Sequence, residues 1–385
     1  MIADNVSMSK SKLYLFTLII AVVVGGFWYW QYKFFRTPVS ESTNQELQVL
    51  FESGSREVTE TDDVMHSIPL DEVMIGNPTE NSTPAIVEPE FESVLAADQY
   101  LDDNGFGLAV EVKGQYRFYP YQILVWHEIV NDTFNNQDLL VTFSPLTFSG
   151  LVFKREVNLE RVEFGTSGKL WNSNLLMQDN MTSSLWSQVL KEAVVGELTG
   201  TKLALYPSLT ISWMDFKTSF PYGEVLSSDT GFNRDYTQDP YELENYYESS
   251  SIWFPLSNDD DRLHAKTIVF GLEAYASFKA YPKDEIESTG IVNGQVGDQS
   301  VLITWDPEFN TVRGFSRQLG QEVLTFTQGE DFLIDDQTSS LWNYDGEAVG
   351  GDYWSEQLDV LILENSFWFS WAASHPETEI FELID

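Results

Sequence analysis

Apolar and polar positions divide the chain into an anchor-like segment, a polar stretch and a long alternating region. Residues 13–30 form a run without a charged residue, LYLFTLIIAVVVGGFWYW. As a helix rising about 1.5 Å per residue, this run would extend about 27 Å, close to the thickness of a bilayer's hydrocarbon core. Its aromatic end and the following Lys33 and Arg36 are typical of a membrane interface. The pattern predicts a transmembrane anchor at residues 13–30 after a tail, residues 1–12.

A cleaved signal peptide is the alternative interpretation of this segment. It would need a shorter apolar run and a small-residue cleavage motif, and bulky aromatic residues stand at that point instead. Lys10 and Lys12 on one side balance Lys33 and Arg36 on the other, so positive charge gives no clear orientation. Because the tail is short, we expect a single-pass cell-membrane protein with its bulk outside the cytoplasm.

The next stretch, residues 37–98, is polar and strongly acidic. It holds fourteen acidic residues against Arg56 alone, and prolines are scattered through it. Low hydrophobicity and like charge favour an extended, solvated chain. We therefore predict a flexible acidic tether, although the apolar patch near Ile68 could dock on the folded region.

From about Gly105 the chain alternates in short apolar strands, and this pattern occurs twice. GFGLAVEVKGQYRFYP predicts a hairpin that turns at Lys113–Gly114, and TIVFGLEAYASFKAYP resembles it. DLLVTFSPLTFSGLVFKREV then matches QSVLITWDPEFNTVRGFSRQ, and DNMTSSLW matches DDQTSSLW. Finally, Ser212-Trp213 matches Ser370-Trp371. These ordered matches predict a mainly β fold with short helices (α+β), built as two tandem related β-rich units at residues 99–262 and 263–385.

The two units are unequal. The first contains an insert between Ser227 and Lys266, and it carries a helix-like segment, YQILVWHEIVND, that the second replaces with ESTGIVNGQ. A second helix is predicted in the first unit, with its N-cap near Thr210 and its end before Pro221. We hypothesise that the first unit bears a functional site and the second supports it.

Charge and cysteine content exclude several classes of function. The chain has 21 basic and 60 acidic residues, a formal net charge of −39. Because nucleic-acid binding relies on Lys and Arg contacts to phosphates, it is not expected here. The absence of cysteine excludes disulfides, thiolate nucleophiles and iron–sulfur clusters.

Several motifs of the chain resemble the domain of unknown function 3179 family. These are WHEIVND, VTFSPLTFSG, FGTSGKLWNSNLLMQDNMTSSLWSQ, SDTGFNRDYTQDPY and FWFSWAASHPET, in that order. The resemblance implies little chemistry, because the family's activity is not established. Its usual pattern reads CPLCGT where this chain has SPLTFS, so Ser144 and Thr147 stand at the cysteine positions. Any thiol-dependent role typical of relatives should therefore be absent here.

The candidate ligand-binding residues are the polar side chains of these motifs in the first unit. They are His127, Glu128, Asn131, Asp132, Ser144, Thr147, Asn172, Asn174, Asp229 and Arg234. If the helix continues through Asp132, His127 shares a face with Asn131, and Glu128 shares one with Asp132. The alternative is that Asn131 and Asp132 turn the chain at the helix end. Arg234 could meet an anionic ligand or only neutralise neighbours such as Asp229.

Histidine spacing and a duplicated turn motif bear on metal binding and architecture. No two histidines stand at ligand spacing, so zinc and haem sites are not expected, and no metal ligands are assigned. Calcium is the cation best suited to a carboxylate-rich chain. The duplicated Asp179-x-x-Thr182 and Asp335-x-x-Thr338 predict side-chain-to-backbone hydrogen bonds that tighten turns.

These observations favour a membrane-anchored extracytoplasmic binding or interaction module, attached to a lipid bilayer through residues 13–30. The alternative is an enzyme or a calcium-type cation-dependent protein with a polar site in the first unit. The ligand, the reaction and any cofactor stay open.

Overall fold

The computed structural model describes residues 56–76 and 83–382. Strands dominate this part of the chain and its helices are short, so the predicted mainly β fold is confirmed. The anchor predicted for residues 13–30 lies outside the described residues. Within the described ranges, no helix is long and apolar enough to cross a bilayer.

Short elements precede two halves, which we define as residues 99–262 and 263–382. The short elements are β1 (Thr59–Thr61), β2 (Val64–His66), a 3-10 turn (Leu70–Glu72), β3 (Met74–Ile75), β4 (Ile86–Val87), β5 (Phe91–Ser93) and helix α1 (Val94–Ala97).

The first half follows, and its insert carries one short helix. The elements are β6 (Phe106–Val112), β7 (Gln115–Pro120), α2 (Tyr121–His127), β8 (Ile129–Phe134), β9 (Gln137–Ser144), a 3-10 turn (Pro145–Thr147), β10 (Ser149–Lys154), β11 (Glu156–Val157), β12 (Glu160–Arg161), β13 (Phe164–Trp171), β14 (Asn174–Asp179), β15 (Leu185–Ser187), β16 (Glu192–Val195), β17 (Leu209–Ser212), α3 (Trp213–Ser219), β18 (Glu224–Leu226) and, in the insert, α4 (Pro240–Leu243).

The second half runs through a similar series. The elements are β19 (Ile268–Ala274), β20 (Ser277–Pro282), α5 (Lys283–Thr289), β21 (Ile291–Val296), β22 (Gln299–Asp306), β23 (Thr311–Ser316), β24 (Gln318–Leu319), β25 (Glu322–Val323), β26 (Phe326–Gln328), β27 (Leu333–Asp335), β28 (Leu341–Trp342), β29 (Ala348–Gly350), β30 (Glu364–Phe367), α6 (Trp368–Ser374) and β31 (Glu379–Ile380).

Strand pairing follows the same order in both halves. β6 and β7 form the predicted hairpin, and β8 to β10 and β13 to β16 form antiparallel meanders. β17 then pairs antiparallel with β6, and β18 lies parallel to β7. In the second half the corresponding pairs are β19–β20, β21–β23, β26–β29, β30 on β19 and β31 beside β20.

An asparagine makes the same two contacts in each half, and it is buried in the first half and exposed in the second. The Asn131 amide donates to the Phe164 carbonyl at 2.8 Å and accepts from the Phe164 N–H at 2.9 Å. Asn293 does the same for Phe326, at 2.8 Å for both bonds. Each amide therefore satisfies a strand end that would otherwise leave backbone groups unpaired.

The side-chain-to-backbone hydrogen bonds predicted for the duplicated Asp–Thr turns are confirmed. The Asp179 carboxylate accepts from the Thr182 N–H at 2.6 Å and from the indole N–H of Trp186 at 2.9 Å. Asp335 accepts from Thr338 at 2.6 Å and from the Trp342 indole at 3.0 Å. Both tryptophans are fully buried, so each carboxylate fixes a core side chain as well as a turn.

The sequence match between Trp213 and Trp371 is wrong by three residues. The Trp213 N–H donates to Gly105 O at 2.8 Å, and the Trp368 N–H donates to Thr267 O at 2.8 Å. Each of these tryptophans opens a seven-residue helix directly after a strand. Trp368 is therefore the counterpart of Trp213, and the identical Ser-Trp pair misled the alignment.

Two helix predictions also need correction. Thr210 lies in β17, and the N-cap of α3 is Ser212, whose hydroxyl accepts from the Asp215 N–H at 3.1 Å. The second half does not lack a helix after its first hairpin, because Lys283–Thr289 forms α5. Its length matches that of α2, although its sequence is much more polar.

The predicted flexible tether is wrong over the described residues 56–76 and 83–98. β3 pairs with β13, β2 with β16, β4 with β8 and β5 with β18. Ile68 and Ile86 are each 2% exposed, so apolar side chains hold this segment against the globular region. Exposed acidic residues in and around β1, such as Glu57, Glu60, Asp62 and Asp63, gave the segment its tether-like composition.

Apolar side chains of the two halves pack into one shared core. Members from the first half include Ile129, Met177 and Trp186, and members from the second include Ile303 and Trp305. Because the core crosses the boundary between the halves, neither half buries its apolar surface alone.

Candidate functional site

The turn between β9 and β10 holds the two residues at the family's cysteine positions. Ser144 and Thr147 are both buried. The Thr147 hydroxyl lies 3.3 Å from Ser144 O, 2.9 Å from the Ser149 hydroxyl and 3.0 Å from the Asn174 amide nitrogen. The Ser144 hydroxyl accepts from the Leu175 N–H at 3.3 Å. Both hydroxyls therefore have protein partners.

Asn174 and Gln188 complete this buried hydroxyl network. The Gln188 carbonyl oxygen accepts from the Asn174 amide at 2.9 Å and from the Ser149 hydroxyl at 2.8 Å. The Gln188 amide donates to the Thr142 hydroxyl at 2.9 Å. A satisfied polar network of this kind fixes one packing arrangement. The network supports a structural role for Ser144, Thr147 and Asn174.

The insert covers this turn. The Tyr246 hydroxyl donates to Leu146 O at 2.8 Å. The Tyr247 ring lies 5.7 Å from the Phe148 ring in an edge-on arrangement. Phe148 has φ +51°, a left-handed conformation that is unfavourable for a bulky residue. Aromatic packing from the insert and the core holds it there.

His127 is fully buried at the end of α2. One ring nitrogen lies 2.8 Å from Pro84 O, and the other lies 2.7 Å from the Tyr236 hydroxyl. A second hydroxyl, that of Thr230, bonds to the Tyr236 hydroxyl. Because burial and the nearby Arg234 charge oppose protonation, the pKa of His127 is lowered. A neutral His127 thus connects α2 to the insert.

Arg234 and Asp229 lie near this chain but do not form an ion pair in the described structure. The Arg234 guanidinium lies 5.7 Å from the centre of the Trp126 ring. Asp229 is exposed. Together with Glu88, Glu90 and Thr230, it borders a cavity of about 250 Å³. Thr230 therefore connects this cavity to the hydrogen-bonded series His127–Tyr236–Thr230.

Asn131, Asp132 and Asn172 do not share a site with His127. Helix α2 ends at His127 and residues 129–134 form β8, so neither predicted helical pairing with Asn131 or Asp132 exists. The two residues do not turn the chain at the helix end either, because Glu128 occupies that position. Asn172 accepts from the Ser257 N–H at 2.7 Å and thereby holds the insert.

Asp132 serves a buried ion pair. Its carboxylate lies 2.7 Å from the Arg117 guanidinium and accepts from the Tyr119 hydroxyl at 2.6 Å. The guanidinium lies between two aromatic rings, 3.7 Å from the centre of Phe91 and 4.2 Å from that of Phe134. Both oxygens of the Asp132 carboxylate therefore accept hydrogen bonds from protein groups.

Like the exposed Asp229, Glu128 has a carboxylate without a hydrogen bond or ion pair among the described residues, but unlike Asp229 it is shielded from solvent. It is half-buried, and burial raises its pKa to about 8. Burial and the Glu128 charge also raise the pKa of the Tyr241 hydroxyl, which belongs to the insert. The carboxyl group therefore faces insert residues in a poorly solvated place.

The backbone of Glu128 is also unusual. It caps α2 with φ +59° and ψ −29°. At the corresponding cap of α5 the second half has Gly290, with φ +77° and ψ −45°. Glycine adopts such angles readily, and other residues pay about 1–2 kcal/mol. The first half thus keeps a carboxyl group where the backbone favours glycine.

A family model described as "protein of unknown function (DUF3179)" matches residues 80–378. The chain belongs to the DUF3179 family. The resemblance carried by the WHEIVND and SPLTFSG motifs is thus confirmed. Neither the curated proteins nor the solved structures include a significant match.

The DUF3179 fold offers no clear metal site in the described ranges. Across residues 56–76 and 83–382, no group of three or more His, Asp or Glu side chains is placed to hold an ion. In the acidic run Asn258-Asp259-Asp260-Asp261, the Asp260 carboxylate lies 2.7 Å from the Arg262 guanidinium.

Sequence reasoning missed Tyr236, Thr230 and Gln188. Tyr236 and Thr230 lie in the SDTGFNRDYTQDPY motif, and Gln188 ends the FGTSGKLWNSNLLMQDNMTSSLWSQ motif, so both motifs contained the signal. Glu128 was among the predicted candidates, but its left-handed backbone was not predicted, and the signal there was the glycine at position 290 of the second half.

Proposed function

We propose that this DUF3179 protein is a membrane-anchored, extracytoplasmic binding module whose ligand site lies in the first half at Glu128. The observation that carries the site is the half-buried carboxyl group, without a protein partner in the described chain, on a backbone that favours glycine. Strain and unfavourable burial together cost stability, and such costs cluster at functional positions. Glu128 would be the group that contacts the ligand.

The two halves are, in this proposal, tandem copies of one ancestral unit. The one-to-one order of strands and the matching Asn131 and Asn293 contacts support it. The first copy gained the insert that faces Glu128, and the second carries Gly290 and has no comparable carboxyl group at that cap. The second copy then acts as support through the shared core.

Residues 13–30 anchor the module in the proposal, with the folded mass outside the cytoplasm. The uncharged apolar run with its interfacial aromatics supports this placement. Full-length protein should sediment with membranes, and protein lacking residues 1–36 should stay in the aqueous fraction. Full-length protein in the aqueous fraction would remove the anchor from the proposal.

The stability of a Glu128→Gly variant tests the site. Glycine relieves the backbone strain and removes the buried carboxyl group, so we expect the free energy of unfolding to rise by about 1–2 kcal/mol at pH 8. The melting temperature should rise by a few degrees. Glu128→Gln is the matched control, because it removes the charge and keeps the strain, and it should recover only part of the gain. A lower melting temperature for Glu128→Gly would mean that Glu128 is structural.

A second candidate function is proton transfer by Glu128. A carboxyl pKa of about 8 favours it, because a general acid or base works best when its pKa is near the ambient pH. Mass spectrometry of a captured ligand separates the two functions. A binding module returns the ligand unchanged, whereas an enzyme converts it and its Glu128→Gln variant does not.

A further inference from the structure

The junction of the two halves encloses a cavity of about 200 Å³. Its walls come from β6, β7, β10 and β17 of the first half and from β19, β23 and the segment 357–365 of the second. A cavity of about 150 Å³ lined by apolar groups is large enough to hold benzene. The junction cavity can therefore hold a small organic molecule with a ring or a short alkyl chain.

Three aromatic rings form one wall of this cavity. Tyr116 and Phe220 stack at 3.8 Å between ring centres, and Phe220 and Phe309 lie nearly parallel at 5.8 Å. The first two rings belong to the first half and Phe309 belongs to the second. The Arg313 guanidinium already lies 5.3 Å from the centre of the Phe309 ring. Aromatic faces of this kind attract cations as well as apolar groups.

Acidic side chains outnumber basic ones in the cavity lining. The charged side chains are the acids Glu111, Glu308 and Asp345 and the single cation Arg313. Arg313 is held by two carboxylates, because it lies 2.9 Å from Asp306 and 3.3 Å from Asp345. Its charge also acts on Glu308, although these two side chains form no ion pair in the described structure.

The two glutamates accept hydrogen bonds from neutral groups. Glu111 accepts from the Gly114 N–H, and Glu308 accepts from the Ser219 hydroxyl at 3.2 Å. Neither has an ion-pair partner among the described residues. Burial raises the pKa of both glutamates. The Gly114 hydrogen bond opposes this rise at Glu111, and the Ser219 hydrogen bond and the Arg313 charge oppose it at Glu308, which is exposed. A bound cation would reverse the effect of burial.

The cavity wall also contains an uncharged hydrogen-bond acceptor, the side-chain oxygen of Gln357. The Gln357 amide donates to Asp345 O at 2.9 Å and to Leu358 O at 3.1 Å. Its carbonyl oxygen is buried, lacks a donor within the described structure, and belongs to a residue of the cavity wall. The carboxylates can accept further hydrogen bonds and this oxygen has none in the described part of the chain, and an ammonium group supplies donors together with positive charge.

We propose that the junction cavity binds a small organic amine, with its apolar body against the Tyr116–Phe220–Phe309 wall and its ammonium group between Glu111 and Glu308. This site is separate from the proposed site at Glu128. The net charge of −39 would also concentrate cations around the protein. Because both halves line the cavity, an amine would also hold them together.

Isothermal titration with 2-phenylethylamine tests the proposal. Full-length protein in phosphatidylcholine nanodiscs is titrated at pH 7, with empty nanodiscs as the blank. We expect one amine per chain, and binding at least tenfold weaker for the neutral analogue 2-phenylethanol. The Glu111→Gln/Glu308→Gln double variant should also lose at least tenfold in affinity. Glu160→Gln, an exposed acid distant in sequence, should bind like the unaltered protein.

Three outcomes would overturn the amine site. The first is no saturable binding to the unaltered protein at millimolar amine. The second is equal affinity for the alcohol and the amine, which would show an apolar cavity without charge selection. The third is unchanged affinity in a double variant that melts like the unaltered protein. If the double variant does not fold, the amine and alcohol comparison on the unaltered protein still decides.

Discussion

Replacing Lys191 with methionine should lower the free energy of unfolding by about 3–5 kcal/mol at pH 8. Lys191 is 3% exposed and lies 2.6 Å from the Glu364 carboxylate and 3.0 Å from that of Glu273. It belongs to the first half, and both glutamates belong to the second. Although burial opposes it, the charge of the two glutamates raises the pKa of Lys191, with Glu364 contributing more. Without the ammonium group, two buried carboxylates face each other unpaired.

Urea unfolding followed by tryptophan fluorescence measures this loss. The loss should shrink at pH 5, because the two carboxyl groups of the variant can take up protons in the folded state. Lys169→Met is the matched control, since Lys169 is an exposed lysine of β13, and it should change stability by less than about 0.5 kcal/mol. A loss below 1 kcal/mol for Lys191→Met at pH 8 would mean that this ion pair does not hold the halves together.

Substituting alanine for Gly271 should cost about 2–3 kcal/mol, because its methyl group would overlap the Trp371 ring. The first half shows how the same place accepts alanine. Ala109 is the counterpart of Gly271 in β6, and Phe216 is the counterpart of Trp371 in α3. The second half thus combines the smallest residue, Gly271, with a large ring, Trp371. The first half combines Ala109 with the smaller ring of Phe216.

A double-mutant cycle tests this correspondence. Trp371→Phe alone loses ring volume and the indole hydrogen bond to the Thr378 hydroxyl, which is 2.8 Å long. The combination Gly271→Ala/Trp371→Phe rebuilds the pair of the first half, so we expect it to be about 2 kcal/mol more stable than the sum of the two losses. Thermal and urea unfolding give the four free energies. Additive losses would show that the helices of the two halves do not pack equivalently.

The sequence predicted the strands well because their pattern repeats. The hairpin over residues 106–120 and the Asp–Thr turns follow from local rules, alternation and side-chain capping, which need no knowledge of distant residues. Helix registers were harder. The WFSW segment of α6 contains two tryptophans. The identical Ser-Trp pair pointed to Trp371 as the counterpart of Trp213, whereas the strand pairing shows that the counterpart is Trp368.

Other features depend on contacts that no local pattern encodes. The segment before Asp98 was predicted as a tether from its composition, yet its few apolar residues pack on the globular sheets and decide its structure. The sequence left two interpretations open, with His127 and Asn131 on one helix face or with Asn131 and Asp132 turning the chain at the helix end. Neither is found, because Glu128 ends that helix with a left-handed backbone. The Tyr236 partner of His127 lies more than a hundred residues away and is brought close only by the fold.

The pKa of the Glu128 carboxyl group tests the central claim most directly, because the proposed site rests on that group being poorly solvated and without a partner. Carbon-13 NMR of the Glu128 side-chain carboxyl, assigned by comparison with Glu128→Gln, follows its protonation against pH in the intact protein. The account predicts a midpoint near 8. Titration at the ordinary glutamate value of about 4.5 would show a solvated or paired carboxylate and would contradict the account.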